Sequence, residues 1–158
     1  MVATHGTGRR ESAVRIFQPK RSSASKARRF VAVTLHAWGD DKILDNAITV
    51  TNELFINSVA HAGTVITVRL RRLAGVFIVE VEDLDPREPR RAHAGAADES
   101  SRGLELVEAL STRWGCRSMP DGKVVWAEIA TDDKRPDHSP PWTHHLPTER
   151  GAVPSQAP

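Results

Sequence analysis

Apolar residues recur along this chain with two different periods, and the switches between them outline the elements. Residues 13–17 form a short apolar run that suits a strand. Ser23 or Ser25 can cap a helix running to about Trp38, with Phe30, Val31, Leu35 and Trp38 on its apolar side and Gly39 closing it. Asp40 or Asp41 then opens a longer helix to about Ala62, ended by Gly63. Its buried face repeats as Ile43, Ala47, Val50 and Leu54, joined by Leu44, Ile48, Phe55 and Val59. Residues 64–72 alternate as a strand, Leu73-Ala74-Gly75 turns, and 76–82 is the returning strand. No period survives in 84–101, which is rich in Pro, Arg, Asp, Ala and Ser and reads as a long loop. A third helix over 102–114 carries Leu104, Leu106, Val107 and Leu110. A hairpin then closes the pattern, with strands at 116–119 and 123–130 around Pro120-Asp121-Gly122. Helices followed by antiparallel strands, without regular βαβ alternation, predict an α+β sandwich: a mixed, mostly antiparallel sheet with helices on one face.

Length and composition sharpen this to one folded unit at 13–130. The 158 residues suit a single domain, and 39% apolar with 27% charged residues suits a globular core with polar appendages. Residues 131–158 hold six of the ten prolines and are expected to be a disordered tail, because they cannot bury enough apolar surface to offset ordering entropy. His144 and His145 lie there without the further ligands a metal site needs. Residues 1–12 read as a flexible basic N-terminus. A single cysteine, Cys116, excludes an internal disulfide framework and a multi-cysteine zinc site. No apolar run approaches the roughly 18 residues of a membrane helix, and no hydrophobic stretch follows the basic start as in a secretory signal. A reducing, cytoplasmic setting without a membrane partner is therefore expected.

Charge is distributed unevenly. Residues 1–30 carry eight Lys/Arg against one acid, residues 31–130 eleven against fifteen, and residues 131–158 three against four. The basic beginning suits an acidic partner, but no nucleic-acid motif accompanies it, so direct nucleic-acid binding is not expected.

Three features carry candidate chemistry. The 84–101 loop starts after a strand at Asp83 and ends before a helix at Arg102-Gly103, and a helix N-terminus behind a loop favours anions. Glu53 and Asn57 share one side of the long helix at i,i+4 spacing. A carboxylate beside an amide oxygen suits general-base work next to a hard cation, although such a pair on an exposed face also occurs without function. Asp83 is an acid at the end of an apolar strand, a position where a lone aspartate commonly opens a turn.

In this order the features resemble a known family. Glu53-Leu54-Phe55-Ile56-Asn57-Ser58-Val59-Ala60-His61-Ala62 resembles the N box of the GHKL ATPase/kinase superfamily. Val79-Glu80-Val81-Glu82-Asp83 is similar to the strand entering its G1 box, and Glu99-Ser100-Ser101-Arg102-Gly103-Leu104-Glu105-Leu106-Val107 to its G2 box. Trp114-Gly115 and Gly122-Lys123-Val124-Val125-Trp126-Ala127-Glu128 look like the short bacterial branch, the histidine-kinase-like ATPase domains of anti-sigma factors that are serine-protein kinases. The resemblance spans about residues 25–130. It implies a Bergerat-type sandwich holding ATP-Mg, with Asn57 on magnesium and Glu53 as base toward an accepting serine or a water. It further implies Asp83 on the adenine amino group, and Ser101, Arg102, Gly103 and Leu104 around phosphate. His61, one turn beyond Asn57, either lines the phosphates or sits at its helix's C-terminal dipole.

The resemblance also implies partners: a sigma factor, an anti-anti-sigma antagonist protein, or both, with a homodimer among the assemblies it allows. The implied function is an ATP-binding regulatory protein, a serine/threonine-protein kinase acting on a serine of the antagonist. The alternative is a partner-binding module of the same fold that regulates by contact. The chain departs from the family at Asp83-Leu84-Asp85-Pro86-Arg87, where Asp-x-Gly-x-Gly is usual, and at Ser101, where glycine is usual.

Overall fold

Each predicted segment forms an element, with ends moved by tertiary pairing. The computed structural model of the chain describes residues 10–87 and 99–131. The expected flexible N-terminus and Pro-rich tail fall almost wholly outside the described residues, as does the middle of the expected loop. The strands are β1 (Glu11–Phe17), β2 (Ile66–Leu73), β3 (Val76–Asp83), β4 (Arg113–Met119) and β5 (Gly122–Ala130). The helices are α1 (Ser23–Trp38), α2 (Leu44–His61) and α3 (Glu99–Leu110), with a 3-10 turn at Asp41–Ile43 leading into α2. Among these elements no helix is long and apolar enough to cross a membrane.

The sheet order is β1-β2-β3-β5-β4, and every pairing is antiparallel. The sheet thus lies at the antiparallel limit of the mixed, mostly antiparallel one expected. Two hairpins, β2–β3 and β4–β5, meet at the β3–β5 pairing, where Asp83 faces Lys123 in register.

Helix α2 lies between α1 and α3 and over the sheet. Phe55, Leu54, Val50 and Ala47 from α2 are buried with Leu35 and Val31 from α1 and with Ile66, Val68, Leu70, Phe77, Val79 and Val81 from the sheet. Phe17 meets Phe55 edge-on at 5.6 Å and links the first strand to this core. Burying each such side chain stabilises the fold by about 1.5–3 kcal/mol.

Gly39 closes α1 with φ 77°, as its position predicts. Asp40 makes no side-chain cap on the following turn. It is instead buried and ion-pairs through Oδ2 with Arg72 Nε at 3.0 Å.

Helix α3 differs from the 102–114 expectation at both ends. It begins at Glu99 and stops at Leu110. Ser111 marks the stop: its backbone N–H makes the last helical hydrogen bond, to the Val107 carbonyl, and its hydroxyl donates to the same oxygen. Beyond it the ladder to β5 takes over, with Thr112 N–H donating to Glu128 O at 2.7 Å and Arg113 paired with the Glu128 carboxylate at 3.1 Å. Trp114 therefore belongs to β4, half-buried against the core.

The helix-free face of the sheet is held by charge. Glu80, buried at its centre, lies 3.5 Å from Arg69, 3.3 Å from Arg71 and 3.8 Å from Arg117. Ile78 and Val124 on this face are each 1% exposed. Arg71 and Glu128 flank the first in register, Arg117 and Glu82 the second, and long side chains laid over apolar neighbours account for their burial.

Candidate functional site

One side of α2 faces a cavity of about 530 Å³ between α1 and α3. Glu53 and Asn57 line it together, as their i,i+4 spacing requires, with Asn52, Ile56 and Ala60 beside them. From α3 come Arg102, Gly103, Leu104 and Leu106. Arg28 and Ala24 of α1, with Arg21 just before it, complete the wall. Asn57 is 8% exposed, so it is enclosed rather than a solvated surface residue. The reason is that α2 is covered on three sides, by the sheet and by both other helices.

The early start of α3 places Ser101, Arg102, Gly103 and Leu104 within its first two turns. Leu104 is 4% exposed and belongs to the core as well as to the cavity wall. Gly103 gives clearance: a Cβ there would lie 2.6 Å from Glu53 Oε2. The carboxylate thus occupies the space that any side chain at 103 would fill. Its other oxygen, Oε1, is 3.4 Å from the Asn52 amide nitrogen, and Asn52 Oδ1 accepts from Arg28 Nη1 at 2.7 Å.

Asp83 and His61 do not line this cavity. Asp83 is sealed at the β3–β5 seam, where its Oδ1 accepts from Lys123 Nζ at 2.9 Å and from Asp85 N–H at 3.0 Å. Lys123 also donates to the Asp85 carbonyl at 3.1 Å, and both side chains of the ion pair are almost wholly buried. Asp83 Oδ2 is buried with no hydrogen-bond partner among the described residues. Gly122 permits this seam: a Cβ on it would collide with the Asp83 carbonyl oxygen and Leu84 Cα.

Where the family has glycines, Asp85 and Arg87 form a clamp. The Arg87 guanidinium reaches the Asp85 carboxylate at 2.7 Å and donates to the carbonyl of His61, at the end of α2, at 3.0 Å. The Asp85–Arg87 pair thus ties the start of the loop to α2. Arg87's side-chain hydrogen bonds, then its backbone N–H, hold the Asp85 carboxyl far below the usual carboxylate range, against the opposing effect of burial. A carboxyl depressed in the folded state lends stability that is fully present above its unfolded pKa, about 4, and is lost progressively as pH falls from there to the folded value. Arg87→Leu is therefore expected to bring the Asp85 titration back to near pH 4, while wild-type Asp85 stays ionised as other carboxyls protonate. A carbon-detected NMR titration from pH 7 to 2 reads this directly; superimposable Asp85 curves would show that the clamp does not hold the carboxylate.

Sequence reasoning missed Arg21, Arg28, Asn52 and Lys123. Lys123 left a signal, since it shares parity with the core residues Val125, Ala127 and Ile129 along β5. Arg28 left a weaker one, four residues beyond Ala24 on the same helical stripe, with Arg21 just before the helix.

Comparison with known proteins agrees with the fold. The family model described as "Histidine kinase-like ATPase domain" matches residues 17–129, which takes in α1 through α3 and strands β2 to β5 up to Ile129, with only Phe17 of β1. The chain is also 42% identical over 85 residues to the uncharacterized protein SCO4941 of Streptomyces coelicolor (strain ATCC BAA-471 / A3(2) / M145), a match covering 49% of this chain and 81% of that protein. The antiparallel sheet with three helices on one face fits the same assignment. With a match over most of its length, the chain belongs to the histidine kinase-like ATPase domain family.

Proposed function

We propose that this chain is an ATP-binding regulatory protein of the anti-sigma-factor type, transferring the γ-phosphoryl group of ATP to a serine of an antagonist protein. Family membership supports an ATP-binding regulatory module. The observation that carries the finer reading is the convergence of Glu53, Asn57 and the Arg102-Gly103 stretch on one cavity, lined also by Arg21 and Arg28. About 530 Å³ suits a nucleotide-sized ligand, and three guanidinium groups against one carboxylate suit a polyphosphate.

Each residue then has a chemical assignment. Asn57 would hold magnesium through its amide oxygen, and the ion would supply positive charge against the triphosphate. Glu53 takes the proton of the attacking serine hydroxyl, or of a water, as that oxygen bonds to the γ-phosphorus and the bond from that phosphorus to the β-phosphate oxygen breaks, releasing ADP. Asp83 Oδ2, a buried acceptor without a donor, is where an adenine amino group would satisfy an otherwise costly atom. Asp83 is, however, buried against Lys123 and does not line the cavity, and this favours a second reading in which the fold regulates by contact and turns over little.

Calorimetry with ATP-Mg, followed by co-purification from the native host and phosphosite mapping on the captured protein, tests both. ATP binding with a serine phosphorylated on the partner supports the kinase. Partner capture with no ATP-dependent modification selects the contact module. A chain that binds no ATP overturns the proposal.

A further inference from the structure

We propose that Arg28 and Asn52 are positioning residues for Glu53, acting from α1 through α2 to fix the direction of its carboxylate. This rests on reading Glu53 as the base. Guanidinium groups carry donors only, so the end of the Asn52 amide facing Arg28 Nη1 at 2.7 Å has to be its oxygen. The amide nitrogen is thereby turned the other way, toward Glu53 Oε1 at 3.4 Å. At that separation the contact is weak in itself. Its value lies in direction, because the only polar atom Asn52 can turn toward the carboxylate is a donor.

The second oxygen of Glu53 is confined from the opposite side. Gly103 of α3 leaves a space that Oε2 occupies, and a methyl group there would force the carboxylate to move. Glu53 is thus held between an amide on its own helix and a missing side chain on the next. The charged groups lining its cavity are Arg21 and Arg28 before and on α1, and Arg102 on α3. None of the three is supplied by α2 itself, so the base is oriented by its neighbours' packing.

The sequence logic is as specific as the geometry. Arg28 follows Ala24 by one turn, on the flank of the α1 stripe that packs against α2. A lysine at 28 keeps a donor for Asn52 Oδ1, whereas a methionine leaves the amide free to rotate and to present its oxygen to Glu53. Leucine at 52 removes the donor while keeping all three arginines in place.

The test is an NMR measurement of side-chain three-bond couplings, which report rotamer averaging, for Glu53 in the nucleotide-free chain, in wild type and in Asn52→Leu, Arg28→Met and Arg28→Lys. Wild type is expected to hold one rotamer, whereas Asn52→Leu and Arg28→Met are expected to average over several. Arg28→Lys is expected to stay close to wild type. Melting curves identify any variant that fails to fold, and the other then decides. A single unchanged rotamer in folded Asn52→Leu, or in folded Arg28→Met, overturns the proposal. Glu53→Gln separates the two readings: normal phosphate transfer by that variant would remove Glu53 as base, while the couplings still report whether the amide holds its carboxylate.

Discussion

Glu53→Gln is expected to bind ATP as wild type does and to transfer phosphate roughly 100-fold more slowly or worse. Glutamine keeps the length and the oxygen that Asn52 faces, and its amide fits the space over Gly103. What it cannot do is accept a proton. Asn57→Ala is expected to fail in the other way. It removes an oxygen ligand from a cation that tolerates little distortion of its octahedron, so the magnesium-dependent part of ATP affinity should fall. Because Asn57 is enclosed at 8% exposure, this change should also lower stability, by on the order of 1 kcal/mol. The paired assay is ATP affinity with and without magnesium, then phosphate transfer to the captured partner. Wild-type transfer by Glu53→Gln would refute the base assignment. Equal magnesium dependence in Asn57→Ala and wild type would remove Asn57 from the metal.

Asp83→Asn is expected to destabilise the fold by about 3 kcal/mol, whatever it does to nucleotide binding. The motif alone suggests a ligand contact with little consequence for folding. In the structure, however, Asp83 is the counter-ion of Lys123 in a seam where neither side chain meets water. Removing the carboxylate charge leaves an ammonium group facing only an amide and the Asp85 carbonyl. Lys123→Met strands the opposite charge and should cost a similar amount. The double variant Asp83→Asn/Lys123→Met should recover much of the loss, since breaking a buried pair from one side is worse than removing both partners. Urea unfolding of the four proteins gives the coupling energy. Additive losses would show that the two groups do not depend on each other.

The linear pattern of residues by itself determined the element order and the α+β class. Periods of 3.6 and 2 report which face of each segment is buried, and that is a local property. Spacing alone likewise placed Glu53 beside Asn57, because i,i+4 partners on a helix are neighbours whatever the helix packs against. Asp83 was legible as a singular acid at a strand end. Its partner was not, because Lys123 lies 40 residues away and meets it only through the β3–β5 register. Tertiary packing likewise decided that α3 yields Thr112 and Arg113 to the sheet, where their hydrogen-bond partners are. The same holds for Gly103: in sequence it stands at a helix start with a resemblance to a phosphate site, but its lack of a side chain matters because α2 places Glu53 against it. Side-chain contacts across elements depend on registers and crossings that no local period encodes, so what surrounds the Glu53 carboxylate follows from how α1, α2 and α3 pack.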